Sequence, residues 1–496
     1  MTLETRSFVE EARREKLAAL RERGVVPFEY GFARTHTAVT ALEDYTSSDQ
    51  EVAVRVAGRV IALRAHGKTT FGHVSDHTGR VQFFLRRDEV GEEQYRLLKL
   101  LDLGDHLGLE GVMFRTKTGE ITVRVKQLKL LAKALRPLPL GKEDSAGVQH
   151  SGLVDAETRY RERYADLAVH ADTRATFRLR AQAISYLRRF LDSKGYVEVE
   201  TPALQPLYGG ALARPFVTYY NALEAEFYLR IATELYLKRC IVGGMDRVYE
   251  IGKDFRNEGI DREHNPEFTM LEFYEAYADY GDIMCLVEEM LHGLVVELMG
   301  TEKIERFGVT LDFRPPWPRL DYTDLVREHA GVDLRTAEDA VLRATLVNRD
   351  IPDLDSVPRT KLIDGLFKHF VEDTLVQPCF VVDYPIEVSP LAKPKRGDPA
   401  LAERFELFIQ GSELANAFSE LNDPDEQRAR FDAQTAAREA GDAEAHQIDE
   451  DYIKALEYGM PPTGGCGIGV DRLVMLLAES PSIRDVILFP MLRPET

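Results

Sequence analysis

Charged side chains set inside apolar strand patterns are the first sign of chemistry in this chain. In RVYEIGKDFRNEGIDREHNPEFTMLEFYEAY, residues 247–277, Arg256 and Glu258 stand two apart, so on a strand both project to one face. Glu272 and Tyr274 repeat that spacing after the polar turn. Each acid alone reads as solvent-facing. Together they read as the floor of a pocket, because unpaired buried charge is costly and several charges in apolar strands imply partners or ligands. A second constellation, RFELFIQGSELANAFSELNDP at 404–424, places Glu406 and Glu413 on either side of a hairpin, with Asn416, Phe418 and Glu420 alternating along one strand. Paired glutamates of this kind could hold Mg²⁺, which takes oxygen ligands and usually a phosphate partner; an ordinary hairpin with soluble edges is the alternative. A third, PPTGGCGIGVDRL from Pro461, runs a glycine-rich strand into an apolar helix. Gly465, Gly467 and Gly469 would let a ligand approach the backbone, and Arg472 sits at the helix start, where a phosphate is favoured.

The elements that must position these groups are long helices mixed with strands. Phe177, Ala181, Ile184, Leu187 and Leu191 recur at helical spacing, and YVEVETPAL reads as a strand stopped by Pro202. Further strands at EFYLRIAT, RVYEIGKDF, PEFTMLEFYEAY and PCFVVDYP lack a steady βαβ rhythm, which favours an antiparallel α+β domain over a doubly wound one. Neither common phosphate loop occurs. Upstream, residues 51–138 hold short Val-, Ile- and Phe-rich runs punctuated by Gly58, Gly67, Gly79 and Gly119, the pattern of a small all-β barrel. Its last strand sets Ile121, Val123 and Val125 against Arg124 and Lys126; Lys129, Lys133 and Arg136 extend a basic stripe that suits a nucleic-acid backbone or a soluble outer face equally. Residues 5–23 form a charge-balanced helix, expected to be a solvated face, and the proline- and glycine-containing stretch at 137–157 reads as a linker.

Composition bounds the function classes. With 44% hydrophobic and 29% charged residues in 496, the chain can bury a sizeable core. No signal peptide or membrane span is readable, so a cytoplasmic protein is expected. Cys240, Cys285, Cys379 and Cys466 are too scattered for a metal cluster or redox pair and read as buried thiols. A net charge of −20 counts against general affinity for nucleic acid without excluding a local basic surface.

The three constellations together resemble the motifs of class II aminoacyl-tRNA synthetases, and most of the chain resembles the lysyl-tRNA synthetases. YVEVETPAL resembles motif 1, FRNEG with HNPEFT motif 2, and GIGVDRL motif 3. RYRERYADL, GGALARPF, YLRIATELYLKR, DYPIEVSPLAK and ANAFSELNDP resemble blocks of that family, as do GDHLGLEG, TKTGE and LRPLP near the barrel. The order of the full set makes the resemblance specific. It implies an α+β architecture: an N-terminal helical extension at 1–50, an OB-fold anticodon-binding β-barrel at 51–138, a linker at 139–160, and a class II antiparallel-sheet catalytic domain at 161–496 with a helical insertion near 300–370. It also implies a homodimer through motif 1, and ATP, L-lysine and tRNA(Lys) as substrates.

At matching positions the resemblance implies roles. Arg256 would meet the α-phosphate of ATP and Arg472 the γ-phosphate, the two catalytic groups. Phe268 would stack on adenine near Glu258 and Asn265, with His264 facing the triphosphate and Gly469 beside it. Glu406 and Glu413 would carry Mg²⁺, more than one ion per site. Gly210, Glu234, Asn416, Phe418 and Gly467 would line the amino-acid site, where Glu272, Glu420 and the Tyr274 hydroxyl suit an ammonium. Arg64, Phe71, Gln82 and Glu120 would read the anticodon, with barrel core as the alternative for Phe71. The linker reads QHSGL where the family carries a Trp-His-Gly-Leu-like stretch, and Tyr219 and Tyr220 replace two histidines. Rival readings are a relative that lysylates a protein, a catalytically silent RNA-binding regulator, and an aspartyl or asparaginyl enzyme.

Overall fold

Alternation with a period of two closes the N-terminal strands into a barrel. The computed structural model describes residues 7–48, 51–143, 149–150, 152–211, 213–349, 351–439 and 448–495. The expected extension at 1–50 and linker at 139–160 therefore lie partly outside the described residues. The chain forms two compact units, Met1–Ala171 and Asp172–Thr496.

In the first unit, β1 (Ala53–His66), β2 (Thr69–Ser75), β3 (Arg80–Arg86), β4 (His106–Arg115) and β5 (Ile121–Ala132) close in the order β1-β2-β3-β5-β4. Val54, Val74, Phe83, Leu109, Val123 and Val125 fill the inside. Gly111 sits at a bulge where an added Cβ would lie 2.1 Å from the Arg124 carbonyl oxygen. Short helical turns, not strand, occupy 87–100 between β3 and β4.

Two expectations for this unit are corrected. Helix α1 (Phe8–Glu22) is not solvated all round: Leu17 and Leu20 are buried, and the buried Arg13 donates to the carbonyls of Leu103, Ala134 and Arg136. The stripe from the end of β5 onward is not an open row of cations. Lys133 is fully buried, with its ammonium 2.6 Å from Asp102 and 2.9 Å from Asp105. Lys129 lies 3.0 Å from Glu29, and Arg136 lies 3.4 Å from Glu10. Acids distant in sequence neutralise what the local pattern presents as basic. Helix α2 (Ala38–Ser48) adds Ala38, Ala41 and Tyr45 to the barrel core.

The second unit is built on an eight-stranded sheet. Its strands are β6 (Val197–Glu198), β7 (Arg247–Phe255), β8 (Glu267–Ala276), β9 (Arg319–Asp321), β10 (Cys379–Val382), β11 (Arg404–Ile409), β12 (Ser412–Ser419) and β13 (Thr463–Gly469). They lie in the order β9-β10-β11-β12-β13-β8-β7-β6, antiparallel except for the parallel pair at each edge. Helices α3 (Ala171–Ser193), α4 (Glu234–Val242), α5 (Tyr280–Met299), α6 (Tyr322–Ala330), α7 (Asp339–Leu346), α8 (Arg359–Phe370), α9 (Pro424–Glu439), α10 (Glu450–Glu457) and α11 (Val470–Ala478) surround it. One sheet face packs Leu271, Phe273, Phe405 and Ile468 against Leu187, Val287 and Val474 of α3, α5 and α11. The buried stripe of α3 is Ala183, Leu187 and Leu191, one turn apart; Ala181, expected there, is exposed. The segment at 300–370 is helical only after 322. It opens with a hairpin and β9, whose pairing to β10 makes it the sheet edge. Of the cysteines, Cys379 and Cys466 are buried, Cys240 is half-buried and Cys285 is exposed, so the expectation of buried thiols holds for two.

Breaking a buried pair by removing one partner costs about 3–5 kcal/mol, against about 1 kcal/mol or less for an exposed one. Lys133→Ala should therefore lower stability to urea by the larger amount and Lys129→Ala by the smaller, read from far-UV circular dichroism. Equal, small effects would return Lys133 to the surface.

Candidate active site

The sheet's second face carries the chemistry because each strand sorts its residues by parity. On β8, Leu271 and Phe273 enter the core while Met270, Glu272 and Tyr274 line the opposite side; β12 divides Ala415 and Ala417 from Asn416 and Phe418 in the same way. Between them, β13 aligns Gly467 with Glu272 and Asn416, and Gly465 with Tyr274 and Phe418. A Cβ at Gly465 would lie 2.0 Å from Glu420 Oε1 and 2.4 Å from Tyr274 Cε1. At Gly467 it would meet only the Met270 methyl at 3.1 Å and Glu272 Cγ at 3.7 Å. A bare glycine floor thus lies between two rows of side chains, beneath a cavity of about 450 Å³.

The cavity gathers every catalytic-domain residue expected from sequence. At one end stand Arg256, Glu258, His264, Asn265, Phe268, Glu406, Glu413, Gly469 and Arg472. At the other stand Gly210, Glu234, Glu272, Tyr274, Asn416, Phe418, Glu420 and Gly467. Their local geometry refines several expectations. β7 stops at Phe255, so Arg256 and Glu258 belong to the loop after it and do not share a strand face; the chain leaves the ladder as Arg256 N–H donates to the Pro266 carbonyl. Arg256 lies over the Phe268 ring, 5.0 Å from its centroid. Asn265 spends its amide on the backbone, donating to the Glu267 carbonyl and accepting from Met491 N–H, so it shapes the loop. His264 is exposed, and its ring lies 2.9 Å from Asp261.

Arg472 occupies the first turn of α11, as expected, and donates to the Glu413 carbonyl at 2.7 Å. The preceding Asp471 is buried. It binds Arg180 of α3 at 2.5 Å and accepts from Thr269 N–H of β8 at 2.6 Å, tying helix, strand and arginine together. Glu406 receives Arg404 at 2.5 Å. Burial pushes its carboxyl up to about 7, with Glu413 adding to the push and Arg404 opposing it.

The opposite end is acidic, with one internal cation that sequence reasoning passed over. Lys238 lies one turn after Glu234 on α4, and its fully buried ammonium is ion-paired to both Glu234 and Glu420. Glu420 is therefore not an open carboxylate waiting for a ligand; half of it is already engaged. Glu272 differs. It accepts from Thr233 N–H at 3.2 Å and the Tyr274 hydroxyl at 3.0 Å, and among the described residues it has no ion pair. Burial, then Asp254 and Glu234, push its carboxyl up to about 8. The available signals for Lys238 were its i,i+4 spacing from Glu234 and its position on an otherwise apolar helix face.

On the first unit, Arg64, Phe71, Gln82 and Glu120 meet on the outside of the barrel. Arg64 pairs across from Phe71, and Phe71 from Phe84, their rings 4.7 Å apart. Gln82 donates to Glu120 at 2.6 Å, and the His73 ring lies 3.0 Å from the same carboxylate. Phe71 is half-buried on the outer face, apart from the barrel core.

Residues 155–493 match the family model of tRNA synthetases class II (D, K and N), and residues 54–131 match the OB-fold nucleic acid binding domain. The chain belongs to the class II tRNA synthetase family. It is 52% identical to the lysine--tRNA ligase of Pelotomaculum thermopropionicum over 97% of this chain and 94% of that protein. It is 50% identical to that of Moorella thermoacetica across the whole of both, and 48% identical to that of Bacillus subtilis over 97% of each.

The glycine floor of this synthetase yields an asymmetric expectation. Gly465→Ala overpacks against two buried groups and should cost about 1–3 kcal/mol of stability. Gly467→Ala meets a flexible methyl and should leave stability within about 1 kcal/mol while obstructing the floor. Urea denaturation with amino-acid-dependent ATP–pyrophosphate exchange separates the two; equal destabilisation would contradict the packing described.

Proposed function

We propose that the chain activates L-lysine with ATP and transfers it to the 3′ end of tRNA(Lys). The observation that carries this reading is the acidic end of the cavity: Glu234, Glu272 and Glu420 outnumber Lys238, the one cation ion-paired to them among the described residues. An aspartate-charging site needs the opposite sign. The Tyr274 hydroxyl donates to Glu272 and keeps lone pairs for a ligand ammonium. A site built around such polar groups rejects ligands that lack their partner by large factors. The whole-length similarity to lysine--tRNA ligases supports the same substrate.

The chemistry then asks little of proton transfer. The lysine carboxylate, already a nucleophile, attacks the α-phosphorus in line and pyrophosphate leaves; a terminal ribose hydroxyl of the tRNA next attacks the adenylate carbonyl and AMP leaves. Arg256 and Arg472 align the phosphates and stabilise charge as it develops. Glu406 and Glu413 fit Mg²⁺, because the neighbouring Glu413 helps raise the Glu406 carboxyl's affinity for a proton, and a site that draws a proton also favours a divalent cation; when bound it would neutralise phosphate charge. Phe71, with Arg64, Gln82 and Glu120 around it, is the anticodon-stacking platform. A second copy would cover the exposed Val197, Val217, Tyr219 and Leu223, which lie in or near the motif 1 region and suit a homodimer. The enzyme would work in the cytoplasm, where its tRNA is; no described helix is long and apolar enough to cross a membrane.

Lysine-dependent ATP–pyrophosphate exchange tests the reading, and its absence would overturn it. Its pH dependence follows from Glu272. A carboxyl raised to about 8 is neutral below that pH, while the ammonium requires it ionised. The KM for lysine should fall as pH rises from 6 to 8 and level off above, and Glu272→Gln should flatten the profile. On the barrel, losing a stacked base costs about 1–3 kcal/mol. Phe71→Ala should therefore raise the KM for tRNA about 5- to 150-fold and leave lysine-dependent exchange unchanged.

A further inference from the structure

Lys238 does something that neither the fold nor the phosphate chemistry requires. Its ammonium lies on the substrate side of the sheet but behind the cavity wall, 5.4 Å from the Phe418 ring centroid and 6.0 Å from that of Tyr274. Glu234 reaches it from the same helix and Glu420 from the residue after β12. Both glutamates line the cavity; Lys238 does not. The side chain of Glu420 is 1% exposed, and neither carboxylate oxygen accepts a hydrogen bond beyond the ion pair. Its Oε1 points to the bare backbone of Gly465, on the ligand side. A buried carboxylate oxygen with no donor, aimed into a cavity, calls for a donor from the ligand.

Charge explains why a cation belongs there. Glu234, Glu272 and Glu420 would be three buried carboxylates around one ligand, and like charges at such range drive protons onto some of them. One internal ammonium leaves two negative charges. Building on the lysine reading, we infer that Lys238 is a positioning residue: it holds Glu234 and Glu420 ionised, turned toward the cavity, and trims the pocket to the two positive charges of a diamino acid's ammonium groups. Burial alone would lower the Lys238 ammonium, but Glu234, Glu420 and, more weakly, Tyr452 of α10 more than reverse this and hold it protonated. Burial pushes Glu234 and Glu420 upward and both remain raised, with Lys238 the main force opposing that in each; Arg404 of β11 adds to it for Glu234, while Glu234 and then Glu272 of β8 work against it for Glu420. Tyr274 faces the same cluster as a neutral phenol.

The test compares the full-length enzyme with Lys238→Met and Lys238→Arg in lysine-dependent ATP–pyrophosphate exchange between pH 6 and 9.5. The methionine variant should raise the KM for lysine at least tenfold, leave the KM for ATP within twofold, and shift the pH at which the lysine KM levels off to a value above that of the parent. The arginine variant should return that pH toward the parent's. A methionine variant with unchanged lysine KM and pH profile, in an enzyme that itself responds to lysine, overturns this inference alone; a parent enzyme without a lysine response overturns the substrate reading instead. Should the methionine variant fail to fold, calorimetry of lysine binding to the parent at pH 7, in buffers of different ionisation enthalpy, decides. Uptake by the solvent of about one proton per lysine, from Glu272, is expected if Lys238 keeps the other two glutamates ionised; two or more would overturn it.

Discussion

The register of the glycine strand is the constraint on which the rest of the second unit depends. β13 lies between β8 and β12 and fixes which residues of each face the cavity. Side chains alternate with a period of two, so a slip of one residue against either neighbour would bring Cys466 and Ile468 to the ligand side and turn glycines into the core. The core resists this: Cys466 and Ile468 are buried among Leu271, Phe273 and the helices behind them. Packing on one face of the sheet thereby enforces chemistry on the other.

The same sheet lines one cavity with both signs of charge: Arg256 and Arg472 stand beside Glu406 and Glu413, and Glu234, Glu272 and Glu420 gather around Lys238. Each group of charges is held in place by buried partners. Asp471 clamps Arg180 and the Thr269 backbone beside Arg472, and Lys238 bridges two glutamates beneath the amino-acid pocket. Such partners spare the site reorganisation when the ligand arrives, the circumstance in which fixed dipoles and charges act most strongly.

What was legible in the sequence was residue type in a strand or turn context. Glu272 and Tyr274 stood out as polar groups two apart in an apolar strand, the alternate glycines of β13 as a surface without side chains, and Arg472 as a cation at a helix start. What was not legible was pairing at a distance. Lys133 looked like one member of a basic stripe because nothing nearby in sequence announced Asp102 and Asp105 beneath it. Lys238 drew no reading, because its partner Glu420 lies far along the chain. The placement of Arg256 and Glu258 on a strand failed for a local reason: the polar turn opens the ladder at Phe255, before either residue.

The order of strands also has a consequence for synthesis on the ribosome. β13 is the last strand to emerge, yet it occupies an interior position in the sheet, flanked by β8 and β12. The barrel can close as soon as residue 132 is out, whereas the larger sheet stays split into two halves until residue 469 has left the tunnel. A nascent chain stalled before that point exposes two unsatisfied strand edges, one of them carrying Glu272. Neither edge finds its partner before β13 arrives, so the closed sheet and the finished glycine floor come into being together.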